Sequence, residues 1–182
     1  MCPPLSRRRL LALGGAAGAA ALAGCLDAVT GTEQEVCSPG YRHVGAVFEK
    51  RSVVEYLRYA SLTVPQSVSP GERFVATLTN ESDDPLTTLG TPRYMIQRLS
   101  PDGQWRNTVG VPEDHEWSSS RRVLEPGDRL RWEMALSVND LSGPFQRCTI
   151  HTPATYRFVY WGLAEHDAGI ALAAPFEVVE GN

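Results

Sequence analysis

Short runs of alternating apolar and polar residues, each followed by a turn, are the feature that most constrains the fold of this chain. The clearest run is Arg129–Leu136, in which every second residue is apolar: Leu130, Trp132, Met134 and Leu136. A period of two is the spacing of side chains on one face of a β-strand. Turn signals such as Ser100–Gly103 and Glu125–Asp128 separate the runs. We find no apolar pattern typical of a long helix.

This pattern predicts an all-β protein: an antiparallel immunoglobulin-like β-sandwich of about seven or eight strands, preceded by a signal peptide and a flexible tether. Many short strands separated by Pro, Gly and Asp turns are typical of that class. The predicted strands are 53–64, 73–80, 94–99, 104–109, 129–136, 155–161 and 171–179.

Four short motifs, taken in chain order, resemble those of bacterial immunoglobulin-like domains. They are the turn Asn80–Ser82, the hairpin residues Gly103–Trp105, the turn Leu124–Asp128 and the late-strand residues Ala154–Phe158. The resemblance covers about Val64 to Trp161, and the bacterial intracellular proteinase inhibitor family shares it loosely. It implies the same sandwich fold for this chain.

These motifs also make local structural predictions. Asn80 and Ser82 are expected to hydrogen-bond backbone groups within their turn. Gly127 is expected to adopt a positive φ after Pro126, as in a type II turn. We expect the Tyr156 hydroxyl to bond a nearby backbone group, like the tyrosine corner of such sandwiches.

The N-terminal stretch Ser6–Cys25 has the organisation of an export signal. Arg7, Arg8 and Arg9 form a positive region, which an apolar segment rich in Gly and Ala follows. Consecutive arginines ahead of a weakly hydrophobic segment favour the twin-arginine export route. The closing letters LAGC resemble the lipobox of bacterial and archaeal lipoproteins, which implies a lipid on Cys25. The alternative is a transmembrane helix, but the apolar segment is shorter than the roughly 20 residues that a span needs.

We therefore divide the 182-residue chain into three parts: 1–25, a lipoprotein signal peptide with its lipobox ending at Cys25; 26–43, a flexible tether; and 44–182, the immunoglobulin-like sandwich. The predicted location is the extracytoplasmic face of the cell membrane, with the lipid on Cys25 as the membrane link. After Cys25 there are 14 basic and 21 acidic residues. That balance argues against nucleic-acid binding and against electrostatic docking on anionic lipid.

Two cysteines remain after the signal and the lipidated position are set aside. Cys37 and Cys148 form an even pair, and an oxidising compartment favours a disulfide between them. Such a bond would close a loop of roughly 110 residues and stabilise the fold by ~4–5 kcal/mol in the chain-entropy model. Two free thiols are the alternative.

A polar loop around His115, Glu116 and Trp117 is the predicted binding surface. Trp117 follows no strand period, and an aromatic side chain flanked by polar residues is typical of a binding hot spot. The alternative is that its ring folds back over the sheet, and the sequence favours neither.

Catalytic and metal chemistry are both weakly indicated, and we expect no enzyme activity, no metal and no cofactor. Ser118–Ser120 lie beside His115 and Glu116, but no nucleophile-elbow motif is present. A blue-copper site would use Cys148, His151 and the distant His43. Such sites usually add an axial Met, and no methionine follows His151.

The predicted function is that of a membrane-anchored lipoprotein with a non-catalytic binding or structural-interaction role. Its expected partner is an unidentified protein or cell-surface molecule, with no nucleic acid. Inhibition of an extracytoplasmic protease, through loops 112–120 and 138–153, is the alternative. A cupredoxin-like electron carrier is a remote alternative.

Overall fold

The computed structural model describes residues 37–45, 51–136, 141–149, 152–164 and 169–180. These residues belong to one compact unit, Gln34–Asn182. The predicted export residues Arg7, Arg8 and Arg9, the lipidation residue Cys25 and residues 26–36 of the tether lie outside the described ranges. Within those ranges, no helix is long and apolar enough to cross a membrane.

The protein is all-β, as the alternating pattern predicted, and the described residues contain fourteen strands. In chain order they are β1 (Tyr41–His43), β2 (Ser52–Val54), β3 (Ala60–Thr63), β4 (Ser67–Val68), β5 (Arg73–Asn80), β6 (Leu86–Thr88), β7 (Tyr94–Leu99), β8 (Trp105–Asn107), β9 (Val109–Pro112), β10 (Arg122–Leu124), β11 (Arg129–Ala135), β12 (Gln146–Arg147), β13 (Ala154–Tyr160) and β14 (Ile170–Val178).

Two main sheets form the sandwich. Sheet one has the order β3-β5-β11, and sheet two has the order β2-β14-β13-β7-β8 with β4 also paired to β14. Neighbouring strands are antiparallel except that β2 and β4 each run parallel to β14. Two further small sheets are β10-β6 and β1-β9-β12. The order of the main sheets matches the A-B-E and C′-C-F-G groups of an immunoglobulin-like sandwich.

The inner faces follow directly from the period-two pattern. In β11, Leu130, Trp132 and Met134 are buried while the residues between them are exposed. Its partner β5 alternates in the same way, and Ala76 lies opposite Trp132 in the register. A small side chain opposite the largest one leaves room for the indole ring between the sheets.

Aromatic rings from both sheets fill the core. The fully buried Trp132 ring lies 5.1 Å from Phe158, 5.2 Å from Tyr160 and 6.3 Å from Tyr94, measured between ring centroids. Its indole nitrogen donates a hydrogen bond to the Thr91 carbonyl at 2.7 Å. Burying a large apolar side chain of this kind contributes about 1.5–3 kcal/mol.

The predicted strand 53–64 is two strands in the structure. β2 belongs to sheet two and β3 to sheet one, so the chain crosses between the sheets within this segment. Tyr56, at the crossing, is 77% exposed. The structure also has more strands than the predicted seven or eight, because several loops form short local pairs of two to four residues.

Three local predictions are confirmed. Asn80 accepts hydrogen bonds from the Ser82 backbone and hydroxyl groups, and its own amide donates to the carbonyls of Asp84 and Leu124. Gly127 has a φ of 81°. The Tyr156 hydroxyl donates to the Thr152 carbonyl at 3.1 Å, which is the tyrosine-corner bond.

The sheet β1-β9-β12, which we call the disulfide sheet, holds the start of the described chain. The predicted Cys37–Cys148 disulfide is present beside it, with an S–S distance of 1.98 Å. β1 pairs with β9 through Tyr41–His43, so residues 41–43 are part of the fold although the sequence placed them in the tether. The tether prediction missed them because three residues are too few for a strand period to be visible.

Candidate functional site

The segment between β9 and β10, residues 113–121, is the Trp117 loop. Its polar side chains, including Glu116 and Ser118–Ser120, are exposed, whereas His115 and Trp117 are half-buried. A turn bond from the His115 amide to the Pro112 carbonyl starts the loop. The predicted binding residues His115, Glu116 and Trp117 are consecutive in this loop but lie in different environments, with Glu116 exposed to solvent and the two rings half-buried.

The Trp117 ring folds back over the sandwich, which decides between the two alternatives that the sequence left open. It lies edge-on to Trp161, with ring centroids 4.7 Å apart, and 6.1 Å from Phe145. The His115 ring packs edge-on against the Trp117 ring, with ring centroids 4.6 Å apart. The exposed surface of the loop is consequently polar, and the aromatic residues form its base.

Arg93 connects the base of the loop to sheet two. It immediately precedes β7, and its carbonyl accepts a hydrogen bond from the amide of Trp161, which follows β13. The Arg93 guanidinium carbon lies 4.9 Å from the Trp161 ring centroid and 5.7 Å from that of Trp117. One of its terminal nitrogens donates to the Ser118 carbonyl at 2.6 Å. Two cation–π contacts and one charge-assisted bond thus hold the loop.

The Arg93 side chain is unusually buried for a cation, at 8% exposure. Burial lowers its pKa, and the nearby positive charge of Arg51 lowers it further. Arg51 itself lies over Trp161, 5.2 Å from the ring centroid. Across the described ranges, Arg93 forms no ion pair with a carboxylate.

A second arginine, Arg42 of β1, fixes the first half of the loop. Its Nε donates to the Glu113 carbonyl at 3.1 Å, and a terminal nitrogen donates to the His115 carbonyl at 3.4 Å. The Glu113 amide in turn donates to the Gly40 carbonyl. Backbone carbonyls, which every residue type has, receive these bonds, so the exposed side chains of the loop remain available to solvent.

Three buried donors under the loop have no hydrogen-bond partner among the described residues. They are the indole nitrogens of Trp117 and Trp161 and the Nε of Arg93. Buried polar groups are nearly always bonded, and each unsatisfied donor costs about 1–3 kcal/mol. Sequence reasoning missed Arg93 and Arg51, since no spacing marks an arginine that will be buried by distant tryptophans.

The loop does not contain a paired nucleophile and base. The Ser118 hydroxyl bonds the Ser120 hydroxyl at 2.9 Å, while the His115 ring contacts Trp117 instead. The acidic side chains Glu113, Asp114 and Glu116 are exposed, and they form no group close enough to hold a metal ion in the described part of the chain.

One group of potential metal ligands lies at the disulfide sheet. Ligand atoms of Cys37, His43 and Cys148 all lie within 4.8 Å of one another. His151, the other residue of the predicted copper set, lies outside the described ranges. Cys148 is bonded to Cys37, so in this state its sulfur is not a thiolate.

Comparisons with known proteins add little. No protein-family model matches the sequence, and no curated protein matches it. Among solved structures, an alkylpurine DNA glycosylase from Pseudomonas fluorescens is 17% identical over 68% of this chain and 31% of its own length, with a TM-score of 0.34. A β-glucosidase from Listeria innocua is 15% identical over 68% of this chain and 16% of its own, with a TM-score of 0.33.

A third similar structure is the sulfur carrier protein SoxY from Chlorobium limicola f thiosulfatophilum, 12% identical over 74% of this chain and 89% of its own, with a TM-score of 0.28. The chain spans less than a third of the first two proteins. These TM-scores are too low to support an argument about function.

Proposed function

We propose that this protein is a membrane-anchored extracytoplasmic lipoprotein whose immunoglobulin-like sandwich binds a protein or cell-surface partner without catalysis. The lipid on Cys25 is the anchor, and the Trp117 loop is the contact surface. The observation that carries the binding role is the arrangement under that loop: a buried Arg93 in contact with two tryptophans, beneath exposed polar side chains.

The proposed location is supported by the sequence and by the disulfide. The export signal ends in a lipobox-like LAGC, and lipidation would consume Cys25. A Cys37–Cys148 bond is stable in the oxidising environment that an exported domain meets. Both observations favour the same compartment.

The proposed binding role is supported by the way in which the loop is held. Arginines bond its backbone carbonyls at Glu113, His115 and Ser118. A loop fixed through its backbone presents its side chains in one arrangement, which lowers the entropy lost on binding. Functional residues are commonly found on such loops over a rigid β-scaffold.

The anchor can be tested with two cysteine variants of the full chain. Cys25→Ser is expected to release the protein from the membrane fraction and to abolish incorporation of a radiolabelled fatty acid. Cys2→Ser is the matched control, because it removes a cysteine that the mature protein would lack, and it should leave both readouts unchanged. Continued membrane association and labelling of Cys25→Ser would contradict the lipoprotein proposal.

The contact surface can be tested by site-specific photocrosslinking in intact cells. A photoreactive residue at Ser119, on the exposed surface of the Trp117 loop, is expected to give a crosslinked product. The same residue at the exposed Gln104, in the turn between β7 and β8, is the control and should give none. The same product from both positions, or none from Ser119, would count against the loop as the contact surface.

The protease-inhibitor alternative involves the same loop, so a different measurement is needed to distinguish it from the non-inhibitory binding role. If it is correct, the purified protein inhibits an extracytoplasmic protease and Glu116→Arg reduces that inhibition. A lack of inhibition across serine, cysteine and metalloproteases at micromolar protein leaves the non-inhibitory binding role.

A further inference from the structure

We propose that Cys37, Cys148 and His43 form a zinc site when the disulfide is reduced, so that the bond between the two sulfurs controls metal binding. This inference is independent of the proposed function, since it concerns a different part of the fold from the Trp117 loop. It assigns a ligand role to His43. The sequence did not indicate that this histidine lies beside both cysteines.

The register of the disulfide sheet brings these residues together. Gly110, in the middle strand β9, lies opposite His43 of β1 on one side and opposite Gln146 of β12 on the other. Cys148 follows β12, and its amide donates to the Thr108 carbonyl at 2.9 Å, which continues the ladder. Cys148 is thereby brought across one short strand to Cys37 and His43, which precede it by more than 100 positions.

The three ligand atoms already lie near one another. All three lie within 4.8 Å of one another. Ligands at about 2.0–2.3 Å from a tetrahedral zinc ion are themselves roughly 3.5–3.8 Å apart. The main change needed is separation of the two sulfurs, which are bonded to each other in the disulfide.

Gly110 provides space next to both sulfurs. A Cβ atom built at this position would lie 2.6 Å from the Cys148 sulfur, 2.8 Å from the Cys37 sulfur and 2.9 Å from the Arg42 carbonyl oxygen. Any other residue would force these atoms to move. The bare backbone at Gly110 lets the sulfurs approach β9 in the disulfide, and leaves room beside them when they separate.

Opening the site requires a reductant, which we take to be an external dithiol. Exchange with the dithiol breaks the S–S bond, transfers two electrons to the protein sulfurs and converts the dithiol to its own disulfide. Cys37 and Cys148 then carry one proton each. Zinc displaces both protons on binding, so the ion is held by two thiolates and the neutral imidazole of His43.

The donor set favours zinc over a blue-copper centre. Two sulfurs and one imidazole are typical zinc ligands, and three protein ligands leave a fourth position for water. A blue-copper centre takes two imidazoles and one thiolate with a weak axial ligand. The group in the described residues offers two sulfurs and one imidazole, which is a zinc donor set and not the two imidazoles and one sulfur of a blue-copper centre.

The test uses the full chain carrying Cys2→Ser and Cys25→Ser, so that Cys37 and Cys148 are its only cysteines. Zinc affinity is measured by competition with a chromogenic chelator, and Co²⁺ serves as a spectroscopic substitute that reports thiolate ligation. Anaerobically reduced protein is expected to bind one equivalent of Co²⁺ with thiolate charge-transfer absorption. The oxidised protein is expected to show no such absorption.

Two histidine variants distinguish a ligand role from general effects. His43→Ala is expected to weaken zinc binding by at least about tenfold, since even indirect changes around a metal site cost about that much. His115→Ala, outside the cluster, should bind as tightly as the parent. Equal affinity of the His43→Ala and parent proteins would overturn the proposal, as would a lack of thiolate absorption in the reduced parent.

A second measurement tests the site even if reduction unfolds the protein. Tryptophan fluorescence and circular dichroism follow the thermal unfolding midpoint of the reduced protein with and without micromolar Zn²⁺. Zinc is expected to raise the midpoint, or to restore folding if the reduced chain has unfolded, because the free energy of metal binding adds to the stability of the folded state. No effect of zinc on either quantity contradicts the site.

Discussion

Trp132 and Trp117 each pack against several rings, but they differ in burial and in whether the indole nitrogen has a hydrogen-bond partner. Trp132 lies between the two main sheets, is fully buried, and donates its indole N–H to the Thr91 carbonyl. Trp117 lies under a surface loop, is half-buried, and its buried indole nitrogen has no partner in the described ranges. Besides aromatic rings, its neighbours include the cation of Arg93.

The comparison distinguishes a region whose buried indole N–H is hydrogen-bonded from one whose buried donors have no partner in the described ranges. Around Trp132, large rings interlock and the indole N–H is bonded, so each contact adds to stability. Around Trp117 a buried cation and unsatisfied donors reduce the net gain. Binding surfaces commonly carry such imperfect local energetics, because their residues are selected for a partner as well as for folding.

The largest effect is expected from truncating the two rings. Trp132→Ala should lower the free energy of unfolding by about 3–5 kcal/mol, because a fully buried ring leaves a cavity. Trp117→Ala should cost about half as much, since its ring is only half-buried. Urea denaturation of both variants measures the difference, and equal losses would contradict the contrast between the two regions.

The next effect concerns the disulfide sheet, where a covalent bond lies against the middle strand β9. Gly110→Ala should lower the free energy of unfolding by about 1–3 kcal/mol, because the new methyl group meets both sulfurs and a backbone oxygen. Gly169→Ala is the matched control, since a Cβ there meets no atom within 4 Å. Thermal unfolding under oxidising conditions compares them; an unaffected Gly110→Ala would mean that the sulfurs move freely away from β9.

A smaller effect isolates the indole hydrogen bond. Trp132→Phe and Trp117→Phe both remove an N–H while keeping an aromatic ring. Trp132→Phe loses a bond to Thr91, so the two variants should differ by about 0.5–1.5 kcal/mol beyond any difference in packing. Chemical denaturation gives the two values. If Trp117→Phe were the more destabilising variant, its indole nitrogen would have to be bonded in solution.

The smallest effect is expected at a surface ion pair, which contrasts with the buried cation Arg93. Hydrogen bonds from the Gln104 backbone and from Arg106 hold the Asp102 pKa below its usual value. A carboxyl group whose pKa is lowered on folding stabilises the protein above its unfolded pKa, and that contribution is lost as the pH falls through the folded pKa. Asp102→Asn should therefore shift the unfolding midpoint only slightly at pH 7 and not at all in strong acid, because exposed pairs contribute little. An undiminished shift in acid would contradict this origin.

Much of the fold could be predicted from the sequence, because strand formation and turn type depend on local patterns. The period-two run in β11, the turns at Asn80 and Gly127 and the Tyr156 bond each involve residues a few positions apart. The segment 53–64 could not be resolved in this way. Its residues suit a strand throughout, and the crossing between sheets at Tyr56 depends on where the partner strands lie.

The candidate sites were predictable only in part. The sequence indicated the cysteine pair and the polar loop, since each is a matter of composition or count, and the export signal that it predicts lies outside the described residues. The burial of Arg93 in contact with Trp117 and Trp161 and the position of His43 beside both sulfurs were decided by the tertiary structure. The physical reason is the same in both cases: the Arg93 contacts and the approach of Cys148 to His43 join residues more than twenty positions apart, and their energies depend on burial and register that exist only once the strands have paired and packed.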